Sequence, residues 1–153
     1  MLVYTDGGCS GNPGPGGWAF IIADDNGQNI IHENFGAEIL TTNNRMELLA
    51  VISALETLDS KTPIGEIKVF TDSQYVQKGM TVWIKDWKAR GWKTSGKVPV
   101  KNCDLWQRLD NLSKDLPVTW HWVKGHAGFI LNERCDSLTQ KAIKNIITQN
   151  TDS

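Results

Sequence analysis

The chain has 153 residues, 40% hydrophobic and 22% charged, with a formal net charge of −1, which fits one globular domain and by itself indicates no nucleic-acid partner. We expect no signal peptide, and the chain has no internal repeat and no apolar run near the ~20 residues that a membrane span needs. Three scattered cysteines, Cys9, Cys103 and Cys135, are too few for a disulfide framework or a zinc cluster, so we expect free thiols in a reducing cytoplasm.

The first part of the chain predicts three strands and a helix. Apolar runs at Leu2–Thr5, Trp18–Ala23 and Asn29–Ile39, separated by a glycine-rich loop and a hairpin turn, predict an antiparallel meander. The polar residues Thr41–Asn44 offer N-cap chemistry for a helix that runs to about Leu58.

The second part alternates two strands with four helices. We expect Ser73 to cap a short helix that ends at Lys78, where Gly79 breaks it. Gly91–Val100 predicts a basic loop. The predicted strands are Ile64–Thr71 and Val118–Val123, and the other predicted helices are Val82–Ala89, Asn102–Ser113 and Asn132–Ile147.

The order of these elements predicts an α/β fold. Helical connections after the third and fourth strands favour a five-stranded mixed sheet, three antiparallel strands plus parallel strands, flanked by helices. The first, fourth and fifth strands would be parallel neighbours. We expect residues 1–148 to form a single domain and residues 149–153 to be a frayed tail.

Two of the predicted strands end in the same dipeptide, Thr-Asp, at Asp6 and at Asp72. If these strands are parallel neighbours, the two aspartates stand about 5 Å apart. They would also lie at the carboxyl ends of the strands, where open α/β sheets bind ligands. A single aspartate at a strand end more often only caps the following turn, but two in matching positions favour a shared site.

Two further acids, Glu47 and Asp136, each begin an otherwise apolar row of a predicted helix. Burying a carboxylate there without a partner is costly. The alternative is that the first turn of the helix reaches solvent and its N-terminus favours the negative charge. For Glu47 taken alone, that alternative is the better explanation.

The four acids come from four elements that can converge on one place. Their carboxylates would repel each other unless cations lie among them, and oxygen ligands suit Mg²⁺ or Mn²⁺ rather than Zn²⁺. Two such ions can activate a water and stabilise the leaving oxygen of a phosphodiester. The glycine-flanked His126, just before the helix that carries Asp136, suits a role in proton handling, although a lone histidine is more often a surface residue.

The stretch Lys78–Lys101, called the basic segment below, indicates a polyanionic partner. It contains seven lysines and arginines and one acid, Asp86, a net charge of +6, so the rest of the chain carries −7. Trp83, Trp87 and Trp92 lie among these cations, and indoles beside cations suit contact with sugars and bases. The alternative is a solvated helix face with a few packed indoles.

Six motifs, in order along nearly the whole chain, closely resemble those of bacterial type 1 ribonuclease H. They are long, and together they contain all four acids. The motifs are 5–17 (TDGGCSGNPGPGG), 41–48 (TTNNRMEL), 71–76 (TDSQYV), 83–94 (WIKDWKARGWKT), 122–128 (WVKGHAG) and 132–136 (NERCD).

The resemblance implies an endoribonuclease that hydrolyses the RNA strand of RNA–DNA hybrids with two Mg²⁺ ions, for which Mn²⁺ can substitute, and leaves 5′-phosphate and 3′-hydroxyl ends. It implies a cytoplasmic monomer with no membrane partner. It also implies that Asp6, Glu47, Asp72 and Asp136 bind the metal ions and, with His126, carry the catalysis. The residues that it implies for substrate binding are Cys9, Asn12, Thr42, Asn43, Asn44, Gln74, Trp83, Lys88, Arg90, Trp92, Lys93, Lys97 and Asn132.

The chain departs from the family in two places. Phe129–Leu131 is apolar where relatives carry polar residues, which we expect to restrict the His126 loop or to form a contact surface. Ala89 stands where relatives often have a basic residue, so we expect substrate binding to be modestly weaker.

Two alternatives use the same fold. An integrase- or transposase-like nuclease has a triad of acids with other spacing and usually needs flanking DNA-binding domains, for which 153 residues leave no room. A catalytically silent hybrid-binding module would have lost an acid, and all four are present here.

Overall fold

The structure is a computed structural model that describes residues 1–59, 65–124 and 130–151. Five strands and five α-helices form the described part of the chain, and a π-helical turn, Gly79–Trp83, joins α2 to α3. The elements are β1 Leu2–Cys9, β2 Gly14–Ala23, β3 Ile30–Thr41, α1 Asn43–Asp59, β4 Ile67–Thr71, α2 Gln74–Lys78, α3 Ile84–Ala89, α4 Cys103–Ser113, β5 Val118–Trp122 and α5 Ile130–Thr151.

The five strands form one mixed sheet in the order β3-β2-β1-β4-β5. β1 and β2 pair antiparallel, as do β2 and β3, whereas β4 runs parallel to both β1 and β5. This is the predicted α/β fold, including the predicted parallel neighbours. The central position of β1 places Asp6 beside the end of β4, because the parallel pairing stops at Thr5 and Thr71 while β1 continues to Cys9.

Helices cover both faces of the sheet because side chains alternate along each strand. Val3 and Phe20 pack into the larger core, which also contains the apolar faces of α1 and α4 and the fully buried Trp106. Their neighbours Tyr4 and Ile21 point to the opposite face and pack with Cys135 of α5. The two helices that carry the predicted acids Glu47 and Asp136 therefore approach the sheet from opposite sides.

The prediction that Gly79 breaks the helix is wrong. Gly79 has helical backbone angles, φ −57° and ψ −50°, and the chain stays helical from α2 through the π-helical turn into α3. Gly79 is buried, and a Cβ at this position would overlap the indole of Trp106. The absence of a side chain at position 79 therefore lets the helix pack closely against Trp106, and Gly79 does not end the helix.

Other boundaries differ by a few residues. The first strand does not end at Thr5 but continues to Cys9, and β2 already begins at Gly14, so much of the predicted glycine-rich loop is strand because it pairs with its neighbours. β4 begins at Ile67 and not at residue 64, which lies outside the described residues, because Gly65 has a φ of 89°, a left-handed value that an extended strand does not have. α5 extends beyond the predicted 132–147 at both ends and includes residues 149–151 of the segment expected to fray. No glycine or proline follows Ile147 to stop it.

Candidate active site

Three carboxylates, those of Asp6, Glu47 and Asp72, meet where β4 ends beside the middle of β1. One oxygen atom from each lies within 4.8 Å of the others. The parallel register aligns Thr5 with Thr71, so the residues that follow them emerge side by side. The structure therefore brings the two Thr-Asp dipeptides together, as their matching positions indicated.

Asp136 reaches the same place from the opposite face of the sheet, in the second turn of α5. Its carboxyl group forms a side-chain hydrogen bond with Asp6, and its negative charge raises the pKa of Asp6. All four predicted acids thus contribute to one cluster, in which Asp6 is the shared neighbour.

Gly7 allows α1 to bring Glu47 to this cluster. A Cβ at position 7 would lie 2.5 Å from the backbone nitrogen of Glu47, closer than real Cβ atoms come. The first turn of α1 therefore rests directly on the backbone of β1. The backbone N–H of Gly7 also donates a hydrogen bond to Glu47, which lowers the pKa of that carboxyl group.

The crowding of these acids raises their pKa values. Burial, followed by the charges of Asp72 and Asp136, raises the pKa of Asp6 to about 8, although a hydrogen bond from Thr139 opposes the shift. Burial is also the main reason that the pKa of Glu47 lies well above its usual value, and Asp6 and Asp72 add to it. The cluster therefore holds protons in place of charges when nothing positive lies among its oxygens.

The donor set fits a hard divalent cation. The ligand atoms are carboxylate oxygens, which Mg²⁺, Mn²⁺ and Ca²⁺ prefer. Oε2 of Glu47 is buried and has no hydrogen-bond partner among the described residues, so its lone pairs are available to a cation. Asp6, Glu47 and Asp72 could hold a metal ion.

Three contacts fix the backbone at Asp72. The hydroxyl group of Thr71 accepts a hydrogen bond of 3.0 Å from the backbone N–H of Ser73. Ser73 in turn caps α2 by accepting from the N–H of Val76 at 3.2 Å, as predicted. The indole of Trp122, at the end of β5, donates to the Asp72 carbonyl oxygen at 3.0 Å. The carboxylate of Asp72 therefore projects from a constrained turn.

The predicted substrate contacts Cys9, Asn12 and Asn43 form one connected group beside the acids. Oδ1 of Asn43 accepts from the backbone N–H of Cys9 at 2.8 Å, and Oδ1 of Asn12 accepts from the N–H of Asn43 at 3.1 Å. Thr42 caps α1 by accepting from the N–H of Arg45 at 3.3 Å. Asn44 and Gln74 are exposed at the starts of α1 and α2.

A cluster of aromatic rings joins the basic segment to the rest of the protein. Trp83 packs on Trp87, with ring centroids 5.8 Å apart, as expected for their i, i+4 spacing. Tyr75 contacts both Trp83 and Trp106, and its hydroxyl oxygen accepts from the Trp106 indole N–H at 3.0 Å. These contacts attach the segment rigidly to α2 and α4.

The cations of the basic segment are mostly free to meet a ligand. Arg90, Lys93 and Lys97 are exposed. Lys88 is also exposed, but its ammonium group forms an ion pair with Asp110 of α4 at 3.3 Å. Trp92 is half-buried with a left-handed φ of 65°, and its backbone N–H donates to the carbonyl oxygen of Trp87.

Two predicted site residues, His126 and Asn132, are not placed in the cluster. His126 lies outside the described residues, which break off after Lys124 and resume at Ile130, and so does Phe129 of the apolar stretch. Asn132 is only 2% exposed, so it offers little surface to a substrate. Its predicted role in substrate binding stays a prediction.

Two residues of the site were missed by sequence reasoning. Thr139 is buried one turn after Asp136 and hydrogen-bonds to Asp6, and its place in the Asp136 helix row was the available signal. Arg45 forms a two-pronged ion pair with Asp104, at 2.9 and 3.1 Å, and also donates to Asn102. Nothing local in the sequence indicates that α1 and α4 are linked there.

Comparison with known proteins assigns the family. The RNase H family model matches residues 1–144. The chain belongs to the ribonuclease H family. The ribonuclease H of Polynucleobacter asymbioticus is 50% identical over 147 residues, which are 96% of this chain and 92% of that protein. The ribonuclease H of Ralstonia nicotianae is 55% identical over 144 residues, 94% and 91% of the two chains.

Solved ribonuclease H structures share the fold. LC9-RNase H1, described as a type 1 RNase H with the type 2 active-site motif, has a TM-score of 0.81 and 37% identity over 94% of this chain and 72% of its own. LC11-RNase H1, solved in complex with an RNA/DNA hybrid, has a TM-score of 0.74 and 27% identity over 95% and 98%.

Membership of the ribonuclease H family confirms the predicted enzyme class, whose reaction is hydrolysis of the RNA strand of an RNA–DNA hybrid. It favours that reaction over the alternative of an integrase-like nuclease. Among the described residues, no helix has the length and apolar character to cross a membrane.

Proposed function

We propose that this ribonuclease H cuts its hybrid by a two-metal-ion mechanism, with Asp6, Glu47, Asp72 and Asp136 as the ligands of two Mg²⁺ ions, and leaves 5′-phosphate and 3′-hydroxyl ends. The observation that carries the proposal is the approach of three carboxylate oxygens to within 4.8 Å of one another. The unused oxygen of Glu47 and the hydrogen bond between Asp6 and Asp136 support it.

The bound ions would activate a water molecule and stabilise the leaving oxygen of the phosphodiester. The protein's own part is to hold four oxygen donors in a fixed arrangement. Burial at the sheet edge and the contacts of Thr71 and Trp122 around Asp72 keep that arrangement rigid. Because the pKa of Asp6 is raised to about 8, binding of cations at neutral pH must displace a proton.

We assign proton handling to His126, because it stands between Gly125 and Gly128 in the sequence that precedes the Asp136 helix. The assignment rests on the sequence and on the family. A His126→Ala variant should lose part of its kcat and keep its affinity for the hybrid. An unchanged kcat would remove His126 from the mechanism.

The substrate path that we propose has two parts. The group formed by Cys9, Asn12 and Asn43, with Thr42, Asn44 and Gln74 nearby, contacts the hybrid's minor groove, where RNA displays its 2′-hydroxyl groups. The basic segment holds the DNA strand through its exposed cations and Trp83. The hybrid-bound neighbour LC11-RNase H1, with the same fold, supports this choice of substrate.

The test is a cleavage assay with a labelled RNA–DNA hybrid, the matching duplex DNA and the matching duplex RNA, each with Mg²⁺, with Mn²⁺ and with a chelator. We expect cleavage of the RNA strand in the hybrid alone, and only with a divalent ion. End-group analysis should find 5′-phosphates. Preferential cutting of duplex DNA, or cutting in the chelator, would overturn the proposal.

We also propose that the protein works as a monomer in the cytoplasm. Cys9, Cys103 and Cys135 are all free thiols, which suits a reducing compartment. Light scattering of the purified protein should give a mass near 17.1 kDa, and a mass of twice this value would contradict the monomer.

A further inference from the structure

A groove of about 730 Å³ runs between the end of β1 and α5. The basic segment lies elsewhere, between α2 and α4, so the groove is a separate surface. We call it the α5 groove, and the residues of its lining that matter here are Cys9, Ser10, Ser137, Gln140, Lys141 and Lys144.

The α5 groove is lined by residues close in sequence to two acids of the candidate active site. Ser137 directly follows Asp136, and Cys9 is three residues after Asp6 on the same strand. Cys9 also belongs to the group of proposed substrate contacts through its hydrogen bond with Asn43. A nucleic-acid strand that has a phosphate at the carboxylates and passes Cys9 is therefore led into this groove.

The lining of the groove suits a polyanion. Its charged residues are two lysines, Lys141 and Lys144, and no acidic residue lines it. Serine hydroxyl groups and the amides of Gln140 and Asn145 supply further hydrogen-bond donors. Asp136, which directly precedes Ser137, and Glu38, whose charge adds to the effect of burial in raising the pKa of Cys9, are not part of the lining.

The lysines are spaced along one stripe of α5. Ser137, Lys141 and Lys144 are at i, i+4 and i+7, the spacing of side chains that lie above one another on a helix. From Asp136 to Lys144 the stripe rises about 12 Å. That is the length of about three base-pair steps at 3.4 Å each.

Lys141 is held in place on this stripe. Its ammonium group lies 5.6 Å from the centre of the Phe35 ring of β3, a cation–π contact. Lys144 is exposed and forms no ion pair with the described residues. Lys141 is therefore held beside β3, at a ring that does not itself line the groove, and Lys144 is available in solution.

We propose that the α5 groove binds the phosphate backbone of the RNA strand about three nucleotides to one side of the cut, with Lys141 and Lys144 as its phosphate contacts. This inference rests on the proposed function, because it requires a hybrid at the carboxylates. It assigns a second electrostatic contact, on the RNA strand, in addition to the one that the basic segment makes with DNA.

The test compares wild type with Lys141→Gln/Lys144→Gln on hybrids of graded length. Each substrate carries the same short run of ribonucleotides in a duplex that is extended by two, four or eight base pairs on one side or the other. Lys68→Gln/Lys114→Gln is the matched control, because it removes the same charge from the amino end of β4 and from the end of α4. The readouts are KM, kcat and the dependence of KM on salt.

We expect that extending the duplex on one side lowers the KM of wild type and of the control variant. The same extension should not lower the KM of the Lys141→Gln/Lys144→Gln variant, called the groove variant below. The KM of the groove variant on the longest hybrid should rise about fivefold, the effect of two exposed charge pairs. Its salt slope on that hybrid should fall by about 1.8, as for two lost phosphate contacts. Its kcat, and its KM on the shortest hybrid, should not change.

A second measurement locates the contact. Neutral methylphosphonates placed one at a time in the RNA strand should raise the KM of wild type at one or two positions and have no effect there in the groove variant. If the variant gains from extension as wild type does, or if the control loses as much, the groove is not a binding site. Failure of wild type to cut any hybrid would instead overturn the proposed function.

Discussion

The indole N–H of Trp122 donates a hydrogen bond of 3.0 Å to the backbone carbonyl oxygen of Asp72. The bond links neighbouring parallel strands, because Trp122 pairs with Thr71 in the register of β4 and β5. Trp122 remains 44% exposed, so burial does not explain its orientation. One side chain of β5 thus holds the backbone that presents a candidate metal ligand.

Trp122→Phe keeps an aromatic ring and removes the donor. We expect kcat to fall several-fold with little change in KM, because Asp72 loses a constraint on its position. The free energy of unfolding should fall by about 1 kcal/mol, the value of one hydrogen bond. Trp120→Phe is the control, because the Trp120 indole forms no hydrogen bond with the described residues. Equal losses of kcat in both variants would show that ring packing matters and the hydrogen bond does not.

Asp72→Asn should abolish cleavage and leave the fold intact. The amide replaces one carboxylate of the cluster, so the cations lose a charged ligand. We expect kcat to fall by at least about 1,000-fold, or about 4 kcal/mol in the activation barrier. Asp115→Asn, an exposed aspartate in the turn before β5, should cut normally. Full activity of Asp72→Asn would contradict the metal-site assignment.

Asp6→Asn should stabilise the protein in metal-free buffer. The pKa of Asp6 is about 8 in the folded protein and 3.8 when unperturbed. Between these values the folded state keeps a proton that the unfolded chain has lost, so this group lowers stability progressively as pH rises from about 4 to about 8. The penalty is absent below about 4 and complete above about 8.

The check is the melting temperature of wild type and Asp6→Asn from pH 4 to pH 9 with a chelator present. The difference in melting temperature between the two proteins should be near zero at pH 4 and largest at pH 8 and above. Each kcal/mol of penalty that the variant relieves should raise its melting temperature by about 2–4 °C. Groups outside the site titrate in both proteins and cancel in the difference. A variant that is less stable at pH 9 would mean that the Asp6 carboxylate supports the fold.

The salt dependence of hybrid affinity should fall more in Arg90→Gln than in Lys88→Gln. The sequence alone treats these cations as equivalent, but Lys88 already pairs with Asp110 at 3.3 Å. Each phosphate contact contributes about 0.9 to the slope of log affinity against log salt concentration. We expect the slope to fall by this amount in Arg90→Gln and by less in Lys88→Gln. Affinities are measured in proteins that also carry Asp72→Asn, so that the hybrid is not cut. Equal slopes in both variants and wild type would place the DNA-binding face elsewhere.

Gly79→Ala should destabilise the protein, because the added methyl group would overlap the indole of Trp106. The cost of overpacking is about 1–3 kcal/mol, measured by urea unfolding. Gly96→Ala is the control, since its Cβ would meet only Thr94 at 3.8 Å. If Gly79 served only to weaken the helix, alanine would be stabilising, by about 1 kcal/mol.

The sequence by itself predicted most of the strands and helices, the order of the sheet and the four acids of the cluster. Alternating apolar runs define strands, and a Thr-Asp end on two of them predicted that Asp6 and Asp72 share an edge. Long motifs indicated the family, and the family indicated the expected reaction. These signals are local in the chain, or depend only on the order of the elements, and a single sequence contains that information.

The tertiary structure decided what depends on contacts between distant residues. Gly79 was predicted to break a helix because its partner Trp106, 27 positions later, is invisible to a local pattern. In the same way, only the packing shows that Glu47 is buried within the cluster and does not face solvent at the start of its helix. Only the packing shows that Lys88 forms an ion pair with Asp110. Local patterns state which side chains a segment presents, whereas packing decides which group each one meets and how much solvent it keeps.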